Sequence, residues 1–474
     1  MRDLMNKKRE KSIKRKFGSH ITSIEIFNQF ILPDIKKLLL DYIWIDLYAG
    51  EGNLILPILN EISLNDRREF FKDHIYLFDV QPSMVNKCIA NAFSYGIPEY
   101  LAKNNIKLRD NLENFPSFLK RKNIPIFHIT NPPYLYLGYI RKHQETQNYL
   151  KYFENENKGY QDLYQIAMIN DLRNEIENLI YIIPTNFLFG ASVSNKFRHD
   201  FLKHYKILKM IIFETKVFEY TGTNICIGFF KKKRVSKVEP VEFASLKIKK
   251  QNKILEKTYR LKPNYNYRAG SEFEEFLDKY RSQNPLVVKY YLLKDEILKN
   301  NGSYEIRVID ANNYKNNEYK KLILYVNQNL KQKIDSNILY IKTVDSGTYD
   351  GRVGLGIINE DFNVQGIYVS SNTYRTHPIH IFLEPKLSME DQILLKNYFN
   401  FILESFREKL DSEFLTTYKY SKAKYTRKYL GLTQVRKIIE TFPILDIDLV
   451  NKKGIKNLIE NREFSKILRK LKTL

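Results

Sequence analysis

Only two cysteines, Cys88 and Cys226, occur in 474 residues. Two thiols cannot build a four-ligand zinc site or a disulfide framework, and their scarcity suits a reducing compartment. Long apolar runs are missing as well. None approaches the ~20 residues a membrane-spanning helix needs. The first sixteen residues carry eight Lys or Arg and two acids but no apolar stretch. They read as a flexible basic arm and not as a signal peptide, so a cytoplasmic protein is expected. No segment repeats at a solenoid period. His377 and His380 are separated by two residues, without a third His or Cys nearby, so no metal is assigned. Acids are outnumbered, 54 against 77 Lys and Arg, for a formal net charge of +23. A polyanionic partner fits that charge. AT-biased coding fits it too, because Lys, Asn, Ile and Tyr abound.

The length suits two domains, with 43% hydrophobic residues to fill their cores. The most informative stretch is Asn131-Pro132-Pro133-Tyr134. The residues before it, Ile124 to Thr130, are apolar and β-branched and predict a buried parallel strand. The tetrapeptide then lies at the carboxyl edge of a sheet, where open α/β sheets bind ligands. Two prolines stiffen the turn and remove two backbone donors. Asn131 offers an amide oxygen and Tyr134 a flat ring, which suits a planar substrate with an exocyclic amino group. A proline-stiffened loop without chemistry has the same sequence.

Upstream, Tyr42 to Tyr48 predicts another buried strand, followed by Ala49-Gly50-Glu51-Gly52-Asn53 and a helix from Leu54. Glycines at such a turn let a ligand approach the backbone. Ile75 to Phe78 predicts a strand ending at Asp79, and Ile106 to Arg109 a third ending at Asp110. Ser63 to Asp73 reads as a charged surface insertion. A strand, an acid, Gly-x-Gly, a helix and then Asn-Pro-Pro-Tyr two strands later resembles the S-adenosylmethionine-dependent amino-methyltransferases. Among these it is most similar to the N6-adenine DNA methyltransferases of type II restriction-modification systems. The likeness covers roughly the first half of the chain.

The resemblance implies an α/β fold: a Rossmann-like methyltransferase sheet with an antiparallel hairpin edge, plus a second α+β target-recognition domain. It implies S-adenosyl-L-methionine as cofactor, double-stranded DNA as partner, and a companion restriction endonuclease acting on the same site, with the chain a monomer on DNA. Thr22, which also fits a helix cap, would contact the methionine carboxylate of the cofactor. Asp46 would receive its ammonium, while Ala49, Gly50 and Gly52 make room for the sulfonium end. Asp79 would hold the ribose hydroxyls and Asp110 the adenine amino group; Asp110 also fits an ordinary turn. Asn131 to Tyr134 would be catalytic. The Asn131 oxygen and the Pro132 carbonyl accept the two hydrogens of a target amine and localise its lone pair, so catalysis is positioning and electrostatics. An adenine inside a duplex cannot reach the pocket and must be flipped out, with Tyr134 stacking on it.

Further along, residues 135–160 read as a mobile loop that closes over an extruded base. Leu163 to Leu179 traces a helix, Leu179 to Ile183 a strand and Ile207 to Phe213 another. Val217 to Phe230 reads as a hairpin whose Phe218 either packs on the flipped base or fills the core. The run Lys231 to Lys237 marks a boundary, giving a catalytic domain at 1–235 and a recognition domain at 241–474. In the latter, Arg352 and Arg375 lie in polar loops, where arginine either reads guanine edges or is solvated. Residues 416–429 interleave Lys419, Lys422, Lys424, Arg427 and Lys428 with four tyrosines and no acid, which suits phosphate and base contact. The same chemistry would serve methylation of an RNA base or a protein glutamine. A DNA-binding protein without activity would not need Asn131 and the Gly50/Gly52 pair.

Overall fold

The computed structural model describes residues 22–215, 217–218, 224–249, 253–345, 353–373, 377–417 and 428–473. The chain divides into two compact units, Met1–Ala269 and Gly270–Leu474. Among the described residues, no helix is long and apolar enough to cross a membrane.

The first unit is built on nine strands: β1 (Ile43–Asp46), β2 (Ile75–Asp79), β3 (Ile106–Leu108), β4 (Ile126–Thr130), β5 (Asn178–Pro184), β6 (Tyr205–Phe213), β7 (Ile225–Lys232), β8 (Val241–Ile248) and β9 (Ile254–Leu261). Their order is β3-β2-β1-β4-β5-β7-β6-β8-β9. The first five run parallel. β7 lies antiparallel between β5 and β6; the expected antiparallel pair thus has Tyr205–Phe213 and Ile225–Lys232 as its strands and not 217–230, and it lies inside the sheet and not at its edge. The chain leaves β1 towards β2 but returns to the other flank of β1 with β4. Their carboxyl ends therefore flank a crevice, the place where open α/β sheets bind ligands.

Helices α1 (Ile24–Phe30), α2 (Arg67–His74), α3 (Pro82–Ser94), α4 (Glu99–Asn105) and α5 (Leu163–Arg173) connect or cover these strands. α3 starts on Pro82 and buries Val85, Cys88 and Ala92 at helical spacing. Strand β5 is buried on both faces. Leu179, Tyr181 and Ile183 enter one core cluster, Ile180 and Ile182 the other, as a covered parallel strand demands.

Three expectations are corrected. Residues 63–73 are no mere insertion, because α2 buries Phe70 and Phe71 against the sheet. Residues 135–160 fold into short helical segments, Leu137–Ile140 and Gln144–Phe153, which bury Leu137, Ile140, Tyr152 and Phe153. Finally, the first unit extends to Ala269 and not to 235. Lys231 and Lys232 end β7, and β8 pairs in parallel with β6 and antiparallel with β9. The buried Lys247 of β8 pairs with Glu214 at 3.0 Å.

The second unit is α+β. One four-stranded sheet holds, in spatial order, Val287–Tyr290, Ile379–Glu384, Leu339–Lys342 and Gly354–Ile357; a second holds Leu292–Leu293, Gly366–Val369, Tyr304–Lys315 and Glu318–Val326. Its largest core forms around the helix Met389–Leu410, which Ser388 caps by accepting the Asp391 N–H. His380 is buried and serves the backbone, with Nε2 at 2.8 Å from the Asn337 carbonyl.

Candidate cofactor and acceptor site

A cavity of about 310 Å³ opens at the carboxyl ends of β1, β2 and β4. Thr22, Asp46, Ala49, Gly50, Asp79, Asp110, Asn131 and Pro133 all line it. Residues from five separate sequence stretches thus meet at one place, the switch point of the sheet.

Asp46 ends β1 and is buried; its Oδ1 accepts the Thr130 hydroxyl at 2.5 Å and the Tyr48 N–H at 2.9 Å. Burial pushes its carboxyl up to about 7. Asp79 ends β2 and accepts the Gly50 N–H on Oδ2 at 2.9 Å and the Gln81 N–H on Oδ1 at 2.8 Å. Burial raises it too. Both carboxylates therefore brace the loops beside them, and each keeps lone-pair capacity for a ligand, Asp46 on its Oδ2. Asp110 accepts the Leu112 N–H on Oδ1 and the Tyr152 hydroxyl on Oδ2.

The two loop glycines have different work. Gly50 has φ +55° and open space where a Cβ would stand, so its backbone faces the cavity bare. Gly52 has φ +84°, and a Cβ there would lie 2.6 Å from Leu56 Cδ1 and 2.8 Å from Cys88 Sγ. Gly50 leaves room for a ligand, and Gly52 lets the loop pack on the helices below it.

The acceptor turn follows β4. Asn131 donates from Nδ2 to the Thr22 hydroxyl at 3.0 Å, and its Oδ1 accepts the Tyr134 hydroxyl. The Tyr134 oxygen also lies 2.6 Å from the Ile182 carbonyl. The hydroxyl of Tyr134 is thereby pinned inward, and the residue is half-buried against the two core clusters. These contacts fix which way round the Asn131 amide faces.

Two of the residues expected at DNA fall among the described ones. Phe218 is buried in the sheet core with Phe213 and Ile225, so its core role replaces the base contact. Lys428 is half-buried and donates to the Asp411 carbonyl at 3.2 Å. Arg352, Arg375, Lys419, Lys422, Lys424 and Arg427, with the basic arm, lie outside the described residues.

Other residues of the site have little sequence signal. Asn148, Tyr149 and Tyr152 reach the cavity from the segment 144–153. Tyr48 Oη and Asn111 Oδ1 are buried at the cavity with no hydrogen-bond partner among the described residues. Orphaned polar atoms beside a cavity fit a polar ligand that completes them. The acids Asp46, Asp79 and Asp110 around it fit a ligand bearing positive charge and hydroxyl or amino groups.

Residues 63–218 match the family model described as Eco57I restriction-modification methylase. That span includes Asp79, Asp110, Asn131 to Tyr134 and α5. No curated protein matches this chain. Among solved structures, the chain is similar to a nuclease-deletion mutant of the type ISP restriction-modification enzyme LlaGI in complex with a DNA substrate mimic. Identity is 12%, with 83% of this chain and 52% of that chain covered and a TM-score of 0.50. It is also similar to the type IIL restriction-modification enzyme MmeI in complex with DNA, at 13% identity, 81% and 65% coverage and TM-score 0.49. The type IIG restriction endonuclease BpuSI gives 12%, 94% and 60%, and 0.43. The LlaGI likeness supports the fold. The chain spans between 52% and 65% of the length of these three solved chains.

Proposed function

We propose that the chain is an S-adenosylmethionine-dependent DNA methyltransferase of a restriction-modification system, acting on the N6 amino group of adenine. The observation that carries this is the convergence of Asn131 and Pro133 with Gly50 and Asp79 on one cavity. A donor half and an acceptor half share a single site; the family match at 63–218 covers the acceptor turn with Asp79 and Asp110, while Thr22, Asp46, Ala49 and Gly50 precede it.

The residues fit the cofactor. Asp79 suits its ribose hydroxyls, Asp46 its ammonium, and Asp110 and Asn111 the edge of its purine. When bound, S-adenosylmethionine supplies an electrophilic methyl group on a sulfonium. The protein's own part is to hold the acceptor. The Asn131 Oδ1 and the Pro132 carbonyl accept the two amino hydrogens and leave the nitrogen lone pair localised. Tyr134, a half-buried residue whose hydroxyl orients the Asn131 amide, would stack its ring on the flipped base. No general base is required, because positioning and preorganised dipoles supply the rate. Double-stranded DNA is the proposed partner, with a companion endonuclease for the same site.

Tritiated S-adenosylmethionine incubated in parallel with unmethylated duplex DNA, RNA and ribosomal protein tests this. Label should enter duplex DNA as N6-methyladenine. Label entering RNA or a protein glutamine instead would overturn the DNA reading and keep the donor chemistry. Binding to DNA should weaken with salt at about −0.9 per neutralised phosphate in log–log form.

A further inference from the structure

Helix α5 carries polar side chains that the proposed chemistry does not use. Asp162, the residue preceding it, accepts the Leu135 N–H at 2.9 Å, and Leu137 N–H donates to the Gln161 carbonyl at 2.8 Å. The chain immediately after Tyr134 is therefore tied to the start of α5. Near its other end, Asn170 donates to the Leu112 carbonyl at 2.9 Å and so holds the loop that carries Asp110. Next to it, Asp171 is fully buried and accepts the Tyr181 hydroxyl at 2.6 Å. His128 Nδ1 lies 2.6 Å from the same carboxylate oxygen.

The other nitrogen of His128 settles its tautomer. Nε2 accepts the Leu47 N–H at 3.2 Å, so Nδ1 carries the proton and donates to Asp171. Leu47 follows Asp46 directly, and its carbonyl accepts from Asn111 Nδ2 at 2.7 Å. Both backbone groups of Leu47 are thus fixed. A neutral histidine in the middle of a buried strand, oriented by a buried carboxylate, is a costly arrangement unless its geometry matters.

We infer that α5 is a brace that sets the two halves of the site separately: Asp162 positions the acceptor turn, and the His128–Asp171 pair positions the Asp46 loop that receives the cofactor. The inference rests on the proposed function. Asp162, His128 and Asp171 are positioning residues, since none is argued to touch a reacting atom.

The test is a double dissociation in the full chain, with S-adenosylhomocysteine as the binding probe and unmethylated mixed-sequence DNA as the acceptor. His128→Asn retains a donor towards Asp171 but loses the acceptor for Leu47 N–H. It should weaken S-adenosylhomocysteine about tenfold by calorimetry, with turnover at saturating cofactor within twofold of wild type. His128→Gln places an acceptor near the Nε2 position and should restore most of that affinity. Asp162→Ala should do the reverse, with affinity within twofold and turnover about tenfold lower. Asn170→Ala, at a half-exposed position, gives a milder version of the cofactor-side effect should His128→Asn fail to fold. Wild-type protein that binds no S-adenosylhomocysteine would overturn the functional reading and this inference with it. Wild-type binding with equal losses of affinity and turnover in both variants, or with no loss in either, would overturn the brace alone, since simple destabilisation cannot separate the two parameters.

Discussion

Thr22 and Asn131, 109 positions apart, meet through a 3.0 Å hydrogen bond from the Asn131 amide to the Thr22 hydroxyl. Asn53 donates in turn to the Thr22 carbonyl at 3.0 Å. Thr22 thus stands between the glycine loop and the acceptor turn. Thr22→Val keeps the shape and removes the acceptor. One lost neutral hydrogen bond is worth ~1 kcal/mol, or about fivefold. Turnover should drop by that factor, and Thr22→Ser should restore it. Unchanged turnover in Thr22→Val would mean the Asn131 amide is oriented by Tyr134 alone.

Asn131 addresses the acceptor and not the donor. Asn131→Ala should abolish methyl transfer while calorimetry shows S-adenosylhomocysteine bound within a few-fold of wild type. Activity within a few-fold of wild type would remove Asn131 from catalysis.

Asp46 predicts a pH dependence of definite sign. Its carboxyl is pushed up to about 7 by burial. Receiving an ammonium requires the ionised form, so cofactor affinity should fall as pH drops through that value. By proton linkage the loss between pH 8 and pH 6 is about tenfold. The unliganded protein should respond in the opposite direction. Between the ordinary value near 3.8 and about 7 the folded state holds a proton that the unfolded chain releases. The stability from this group is therefore greatest below that window and lost as pH rises through it. Calorimetry and melting curves on Asp46→Asn should show both slopes reduced. A variant titrating like wild type would assign the dependence to another group, Asp79 first.

The glycine loop, Asp79 and Asn131 are legible in the sequence because each is a local strand-to-turn signature, complete within about ten residues. The brace is not. His128 is one polar residue in an apolar strand, Asp171 one acid in an apolar helix, and only the fold brings them together across 43 positions. Tyr149 and Tyr152 escape for a different reason. They lie in the 3₁₀ segment Gln144–Phe153, whose period does not produce the 3.6-residue apolar stripe of an α-helix. The run Lys231 to Lys237 misleads in the opposite way: its charge resembles a linker, yet its first two residues end a strand.

Gly50 and Gly52 should separate when each is replaced by alanine. Gly52→Ala places a methyl group 2.6 Å from Leu56 Cδ1 in a fully packed site at φ +84°. Strain of this kind costs ~1–3 kcal/mol, so the melting temperature should fall by several degrees. Gly50→Ala meets open space and pays only for its backbone angle, but its methyl group enters the cavity. It should melt near wild type and bind S-adenosylhomocysteine more weakly. Equal effects on melting and binding in both variants would contradict the division of labour.

The unit boundary at Ala269 gives a prediction independent of chemistry. Residues 1–235 alone would leave β6 as an unpaired sheet edge, because β8 is its outer neighbour. They would also lose Val241, Phe243, Tyr259 and Leu261, all buried in the core cluster shared with β5, β6 and β7. At ~1.5–3 kcal/mol for each buried side chain, that loss is roughly as large as the whole stability of a domain. An open edge with exposed apolar neighbours also invites pairing between chains. The 1–235 fragment should therefore aggregate, whereas 1–269 should elute as a monomer, melt cooperatively and bind S-adenosylhomocysteine. If sequence readout belongs to 270–474, the longer fragment should still lack sequence-specific methylation. A 1–235 fragment that melts and binds like 1–269 would show that β8 and β9 are an appendage to the sheet and not part of it.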